Sequence, residues 1–189
     1  VRMEGWRRDM WFEDTGLPWV PPSPNMPTPD TAVVYPGTCL LEGTNVSEGR
    51  GTTKPFELLG APWIDEYGLV EELETLPIEG AAFRPATFIP WAGKYAGEVC
   101  RGVQVYVTDR GRLEAVKLGL LLVWAIARVH PGKLKFTEYE GRYHFDFLIG
   151  CGEARRMIER GCEPDELLEL CGKGLASFKD VRRKYLMYP

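Results

Sequence analysis

The stretch Gly102-Val103-Gln104-Val105-Tyr106-Val107-Thr108, followed past the turn Asp109-Arg110-Gly111 by Ala115-Val116-Lys117-Leu118-Gly119-Leu120-Leu121-Leu122-Val123-Trp124-Ala125-Ile126-Ala127-Arg128-Val129, decides the fold class. Its first part alternates with period two and sets Val103, Val105 and Val107 on one face of a strand. Its second part is apolar nearly all round and stops at His130-Pro131-Gly132, which reads as a buried core helix. It falls short of the ~18 to 20 apolar residues that cross a bilayer, so no membrane span is expected. A strand feeding a core helix makes this a mixed α and β domain.

The flanking segments extend the pattern. Ala81 to Ile89 is a weaker strand, broken by Pro85. From Asp65 to Leu76, Leu69, Val70, Leu73 and Leu76 recur at helical spacing against Glu66, Glu71, Glu72 and Glu74, and Pro77 ends the helix. Thr28-Pro29-Asp30 is a helix start, with Thr as N-cap and Pro at the first helical position, and Ala32 to Tyr35 make one or two turns before Pro36-Gly37 interrupts. Glu153 to Arg160, Pro164 to Leu170 and Ala176 to Met187 read as short amphipathic helices, the last carrying Arg182-Arg183-Lys184 on a solvated face. The expected architecture is α+β, a small sheet packed with several helices and led by an extended, proline-rich N-terminal arm.

That arm holds Pro18, Pro21, Pro22, Pro24, Pro27 and Pro29, each fixing φ and removing an N–H, so Gly16 to Met26 runs extended over a surface. Trp6, Trp11 and Trp19 accompany it. Large aromatics argue for an ordered arm packed on another body, with a plain interdomain linker as the alternative. The opening residue is Val1, and Val1 to Trp11 has neither a signal-peptide apolar stretch nor the look of a domain start. The chain is expected to begin inside something larger, and those three rings to form an apolar face that a partner covers.

With 189 residues, 44% hydrophobic and 26% charged, the composition excludes disordered and fibrous classes. The formal charge of −4 supplies no positive field for a nucleic-acid partner. Five cysteines are an odd number without C-x-x-C spacing, so buried thiols are expected rather than disulfides. His130 and His144 lack an H-x-x-x-H partner, and no metal is expected.

Chemistry converges on the polar, glycine-punctuated loop Glu42-Gly43-Thr44-Asn45-Val46-Ser47-Glu48-Gly49-Arg50-Gly51-Thr52-Thr53. Gly49-Arg50-Gly51-Thr52-Thr53-Lys54 lacks P-loop spacing and has Lys where a dinucleotide fingerprint needs its third Gly. Asn45-Val46-Ser47-Glu48-Gly49 lacks the first Gly of a serine-hydrolase elbow. No cofactor is expected. What remains suits sugars: carboxylates Glu42 and Glu48, the amide of Asn45, the hydroxyls of Ser47, Thr52 and Thr53, and the guanidinium of Arg50. Glycoside hydrolysis usually needs a carboxyl group that protonates the leaving oxygen and a second that attacks or activates water. Glu42 and Glu48 are the candidate pair, with Arg50 equally able to lock either in a structural ion pair. The loop faces a ligand or is organised by its own hydrogen bonds. Trp19, Trp63 and Trp91 are potential sugar-stacking platforms, with core packing the commoner fate.

As a set, Thr15-Gly16-Leu17-Pro18-Trp19-Val20, Pro22-Ser23-Pro24-Asn25-Met26-Pro27-Thr28, Tyr35-Pro36-Gly37, the loop Glu42–Thr53, Pro55-Phe56 and Gly60-Ala61-Pro62-Trp63-Ile64 resemble the exo-β-N-acetylmuramidase family (NamZ-like, glycoside hydrolase family 171). The likeness continues through Phe83-Arg84-Pro85, Cys100-Arg101-Gly102-Val103, Thr108-Asp109-Arg110 and Phe145-Asp146 to the C-terminal tyrosines. The resemblance implies a C-terminal domain at residues 31–189, preceded at 1–30 by the end of another domain and the arm. It implies a cleft shared with a Rossmann-like N-terminal half that is absent here, its Pro-Glu-His-Gly motif having no counterpart in these residues. The implied activity is release of terminal N-acetylmuramic acid from a muropeptide or similar peptidoglycan fragment. The alternative is a non-catalytic cell-wall or glycan-binding module. By the same resemblance Asn25, Glu42, Asn45, Ser47, Glu48, Arg50 and Thr52 bind the substrate, with Arg50 the natural partner of the acidic lactyl group.

Overall fold

The computed structural model describes residues 1–188; Pro189, the last position of the expected C-terminal domain, lies outside the described residues. Seven α-helices, two 3₁₀ helices (Phe12–Thr15 and Cys39–Gly43) and two small sheets are present among them: α1 (Pro29–Thr38), β1 (Leu58–Ala61), α2 (Glu66–Glu74), β2 (Ala81–Phe88), β3 (Cys100–Val107), α3 (Ala115–Val129), β4 (Glu138–Tyr139), β5 (Arg142–Tyr143), α4 (His144–Ile149), α5 (Glu153–Glu159), α6 (Pro164–Gly172) and α7 (Leu175–Arg183). This is the mixed α and β class the sequence implied, and none of these helices is long and apolar enough to span a membrane.

The main sheet is antiparallel in the order β1-β3-β2, so the alternating strand is central. Val103 faces Leu59 on one side and Pro85 on the other. Pro85 does not break β2, because β2 is an edge strand and its missing N–H costs no ladder bond. Gln104 in β3 is also buried and accepts a hydrogen bond from Arg84 Nη2 at 2.8 Å.

Every residue of α3 from Leu118 to Ile126 is buried, as its all-round apolar sequence requires. The apolar stripe of α2 packs on it through Leu69, Val70 and Leu73. Asp65 caps α2 by accepting from the Tyr67 N–H. Thr28 caps α1, accepting from Thr31 N at 3.2 Å.

The interruption expected at Pro36-Gly37 does not occur: α1 continues through Pro36 to Thr38. Gly37 and Gly119 meet where α1 crosses α3, and a Cβ on either would collide with the backbone of the other helix. Close helix packing at this point outweighs the backbone bond that Pro36 removes.

The arm is irregular apart from one 3₁₀ turn at Phe12–Thr15. Trp19 stacks edge-on against Phe12 at 4.9 Å and donates from Nε1 to the Met26 carbonyl at 3.2 Å. Arg110 clasps the arm to the body, reaching Glu13 at 2.7 Å and Asp30 at 2.6 Å. Trp6 and Trp19 are half-buried and Trp11 is exposed. All five cysteines are free, with Cys100 and Cys162 buried but Cys151 exposed, contrary to the expectation that the thiols lie inside.

Candidate functional site

The loop from Glu42 is threaded through the domain, not laid over it. Its backbone pairs on one side with the segment before β4, where Asn45 N donates to the Lys135 carbonyl and Thr137 N to the Gly43 carbonyl. On the other side Ser47 and Gly60 exchange N–H···O bonds of 2.8 and 3.0 Å, which extends the main sheet beyond β1. Val46, Ser47 and Glu48 are buried in consequence. A polar segment can be buried this way only because its polar atoms find partners inside the protein.

Those partners account for several candidate residues. The Asn45 amide donates from Nδ2 to the Lys133 carbonyl at 3.0 Å and accepts from Lys135 N at 2.8 Å. Ser47 Oγ accepts from Gly49 N, while Thr52 Oγ1 donates to the Gly49 carbonyl at 2.6 Å and accepts from Lys54 N. Gly49 and Gly51 have φ near +80° and +77°, and a side chain on either would strike neighbouring backbone, so glycine is required at both turns. Asn25 lies in the arm, its N–H donating to Ser23 Oγ, and among the described residues it shares no hydrogen bond with the loop.

Glu42, Glu48 and Arg50 come together, and Lys94 joins them. Arg50 bridges both carboxylates, with Nη2 2.8 Å from Glu42 Oε1 and Nε 3.2 Å from Glu48 Oε1. Lys94 Nζ lies 3.1 Å from Glu48 Oε2. Its protons, however, serve the carbonyls of Leu41, Glu42 and Val46 at 2.9, 3.2 and 2.9 Å. An ammonium has three donors, so Glu48 Oε2 is ion-paired and buried yet accepts no hydrogen bond. Burial holds Lys94 below the ordinary lysine range, and the attraction of Glu48 and Glu42 only partly offsets it. Burial, with the charge of Glu42 second, pushes Tyr35 and Cys39 up.

The cluster is graded in exposure. The Glu48 side chain is 5% exposed, Glu42 20% and Arg50 36%, so a ligand meets Arg50 and Glu42 first. Arg50 leaves Nη1 without a protein acceptor among the described residues. Beneath it lies Phe56, whose ring is 5.0 Å from the guanidinium and edge-on to Tyr35 at 4.8 Å. Phe56 holds φ +63°, a left-handed conformation unusual for an aromatic residue, while its N–H donates to the Glu48 carbonyl. The backbone N–H of Trp91 donates to the Gly51 carbonyl while the residue stays on the surface at 82% exposure, so core packing is not its fate. Trp63 does pack inward, edge-on to His130 at 5.5 Å.

Lys94, Phe56 and Tyr95, whose hydroxyl donates to the Asn45 carbonyl at 2.8 Å, support the loop and are not among the sequence candidates. Trp91-Ala92-Gly93-Lys94-Tyr95 is a glycine-punctuated loop with two aromatics, the one local signal available; a lone Lys there reads as solvated. A cleft of about 630 Å³ lies elsewhere, between the end of α3 and the end of α5, lined by Trp124, Arg128, Phe136 and Arg160 among others and by none of the loop carboxylates. No group of three or more potential metal ligands is assembled among the described residues.

Comparison with known proteins follows the same outline. The family profile described as exo-beta-N-acetylmuramidase NamZ, C-terminal, matches residues 33–188, and that described as exo-beta-N-acetylmuramidase NamZ, N-terminal, matches residues 1–30. A curated relative from Bacillus subtilis (strain 168), the peptidoglycan beta-N-acetylmuramidase NamZ, is 48% identical over 188 residues, covering 100% of this chain and 45% of its own length. The chain therefore spans less than half of that relative. Two crystal structures of DUF1343 family proteins from Bacteroides fragilis are similar at 26% identity each. One has a TM-score of 0.85 over 98% of this chain and 49% of its own, the other 0.58 over 89% and 43%.

Proposed function

The chain belongs to the exo-beta-N-acetylmuramidase NamZ family, and from that premise we propose that it forms the C-terminal, substrate-facing wall of a glycoside hydrolase. The enzyme releases terminal N-acetylmuramic acid from peptidoglycan fragments. Residues 1–30 are the end of a preceding domain and the arm, residues 31–189 the C-terminal domain, and a Rossmann-like N-terminal half supplies the opposite wall.

One observation carries this reading: Arg50, half-exposed, is fixed by Glu42 and Glu48 with Nη1 unspent, and the next residue, Gly51, is tied through its carbonyl to the backbone of the exposed Trp91. A guanidinium held on two of its nitrogens by carboxylates is a pre-oriented receptor for a carboxylate such as the lactyl group of muramic acid. An exposed indole offers a face to a sugar ring. Glu42, the more exposed carboxylate, is the better placed for proton transfer. Glu48, buried against Lys94 with one oxygen free of hydrogen bonds, positions Arg50. Asn45, Ser47 and Thr52 act by shaping the loop, and Asn25 approaches the sugar from the arm.

Calorimetric titration with a muramic-acid disaccharide tests the proposal, using this chain with and without a separately made NamZ N-terminal half. Binding only in the mixture supports the shared cleft. Equally tight binding by this chain alone supports the glycan-binding module instead.

A further inference from the structure

Among the described residues, helix α7 buries none of its side chains. Every residue from Gly172 to Met187 is exposed, including all of α7. Leu175, Phe178 and Val181 are 46%, 59% and 52% exposed and recur every third residue. With Tyr185 they lie on one face of the helix, which also carries Arg182 between Leu175 and Phe178, while Lys179, Asp180, Arg183 and Lys184 occupy the other side. Isolated helices shorter than ~12 to 15 residues are marginal in water, and most helices are held by burial of their apolar face. A helix of 9 residues with three apolar side chains on one face and no buried residue lacks the burial that usually holds so short a helix.

The segment that leaves α7 contacts the N-terminal residues of the chain. The ring of Tyr188 stacks edge-on with Trp6 at 4.8 Å, its hydroxyl accepts from Met3 N at 2.8 Å, and its carbonyl accepts from Arg8 Nη2 at 3.2 Å. Met3, Trp6 and Arg8 all lie in the segment that matches the NamZ N-terminal profile. The apolar face of α7 is thus continuous with an existing contact to N-terminal-domain sequence.

We infer that the Leu175, Phe178 and Val181 face of α7, continued by Tyr188, is the seat of the NamZ N-terminal domain. The inference rests on the reading that this chain works with such a domain, and it names the surface that holds the two together. The basic side of α7 stays in water while that face is buried, so the C-terminal helix and the residue 1–8 segment grip the same body.

Hydrogen exchange tests this in the protein carrying both halves, compared with this chain alone. Amides of residues 175–183 exchange about 100-fold more slowly in the two-half protein, the change expected when a fraying end joins a cooperative unit. The double variant Phe178→Asp, Val181→Asp, and more mildly Phe178→Ala, abolishes that slowing while the α3 amides stay protected. Equally fast exchange in both proteins overturns the inference. So does protection that appears in this chain alone with rising concentration, which means a second copy, or only on adding phosphatidylglycerol vesicles, which means a membrane surface. Turnover of a muramic-acid disaccharide is read in parallel: protection without turnover keeps the docking face and removes the enzymatic reading, and turnover without protection does the reverse.

Discussion

The loop Glu42–Thr53 and helix α7 handle water in opposite ways. The loop is polar yet buried, and it remains so because nearly every donor and acceptor is matched, down to three carbonyls sharing the one ammonium of Lys94. The helix carries apolar side chains on one face yet buries none of its residues. The difference teaches that patterning fixes what an element is, whereas burial depends on which surfaces the rest of the protein brings to it.

Perturbing the two regions should therefore have unequal effects. The largest is expected from Lys94→Met, which strips the donor from three carbonyls and leaves Glu48 with one cation instead of two. Stability to urea should fall by about 3 to 5 kcal/mol, the scale for breaking a buried ion pair by removing one partner. A loss under ~1 kcal/mol would mean that the loop is held by something else. Next, Asn45→Ala removes both side-chain bonds to the 133–135 segment and should cost about 1 to 3 kcal/mol in the same assay.

A smaller effect is read from pH. Lys94 is held below its ordinary value of 10.5, so the unfolded chain binds the extra proton between the two values. This group's contribution is fully present above about 10.5 and is lost as pH falls through the folded value. The stability gap between wild type and Lys94→Met should therefore widen in favour of wild type as pH rises toward 10.5; a gap that narrows would reverse the assigned direction. The smallest change belongs to α7: Phe178→Asp in this chain alone should alter its urea stability by no more than ~0.5 kcal/mol, since the side chain contacts no core. A drop of several kcal/mol would erase the contrast between the regions.

Much of the fold was legible where periodicity and burial agree. Val103 and Val105 alternate in a strand and are buried in the central one, and the boundaries of α3 follow from its apolar run and His130-Pro131-Gly132. Pro36-Gly37 misled because a dipeptide that ends helices in isolation is retained where Gly37 must approach Gly119. β1 went unseen: Leu58–Ala61 is four residues long and pairs only with distant segments. In the candidate site, Glu42, Glu48 and Arg50 are legible as a local set, and an arginine two residues from Glu48 allows the ion pairing found. The contribution of Lys94 is not legible, because it arrives from 46 residues beyond Glu48 through a fold contact that no local pattern encodes.

The central claim, that the Arg50 cluster faces the substrate, is tested most directly by turnover of a muramic-acid disaccharide in the protein carrying both halves. Arg50→Ala should lower kcat/KM at least ~100-fold, the scale for losing a positioned catalytic group, with Arg50→Lys recovering only a small part because a point charge cannot bind two carboxylates and a third in plane. Near-normal turnover by both variants, with the fold intact, would contradict it.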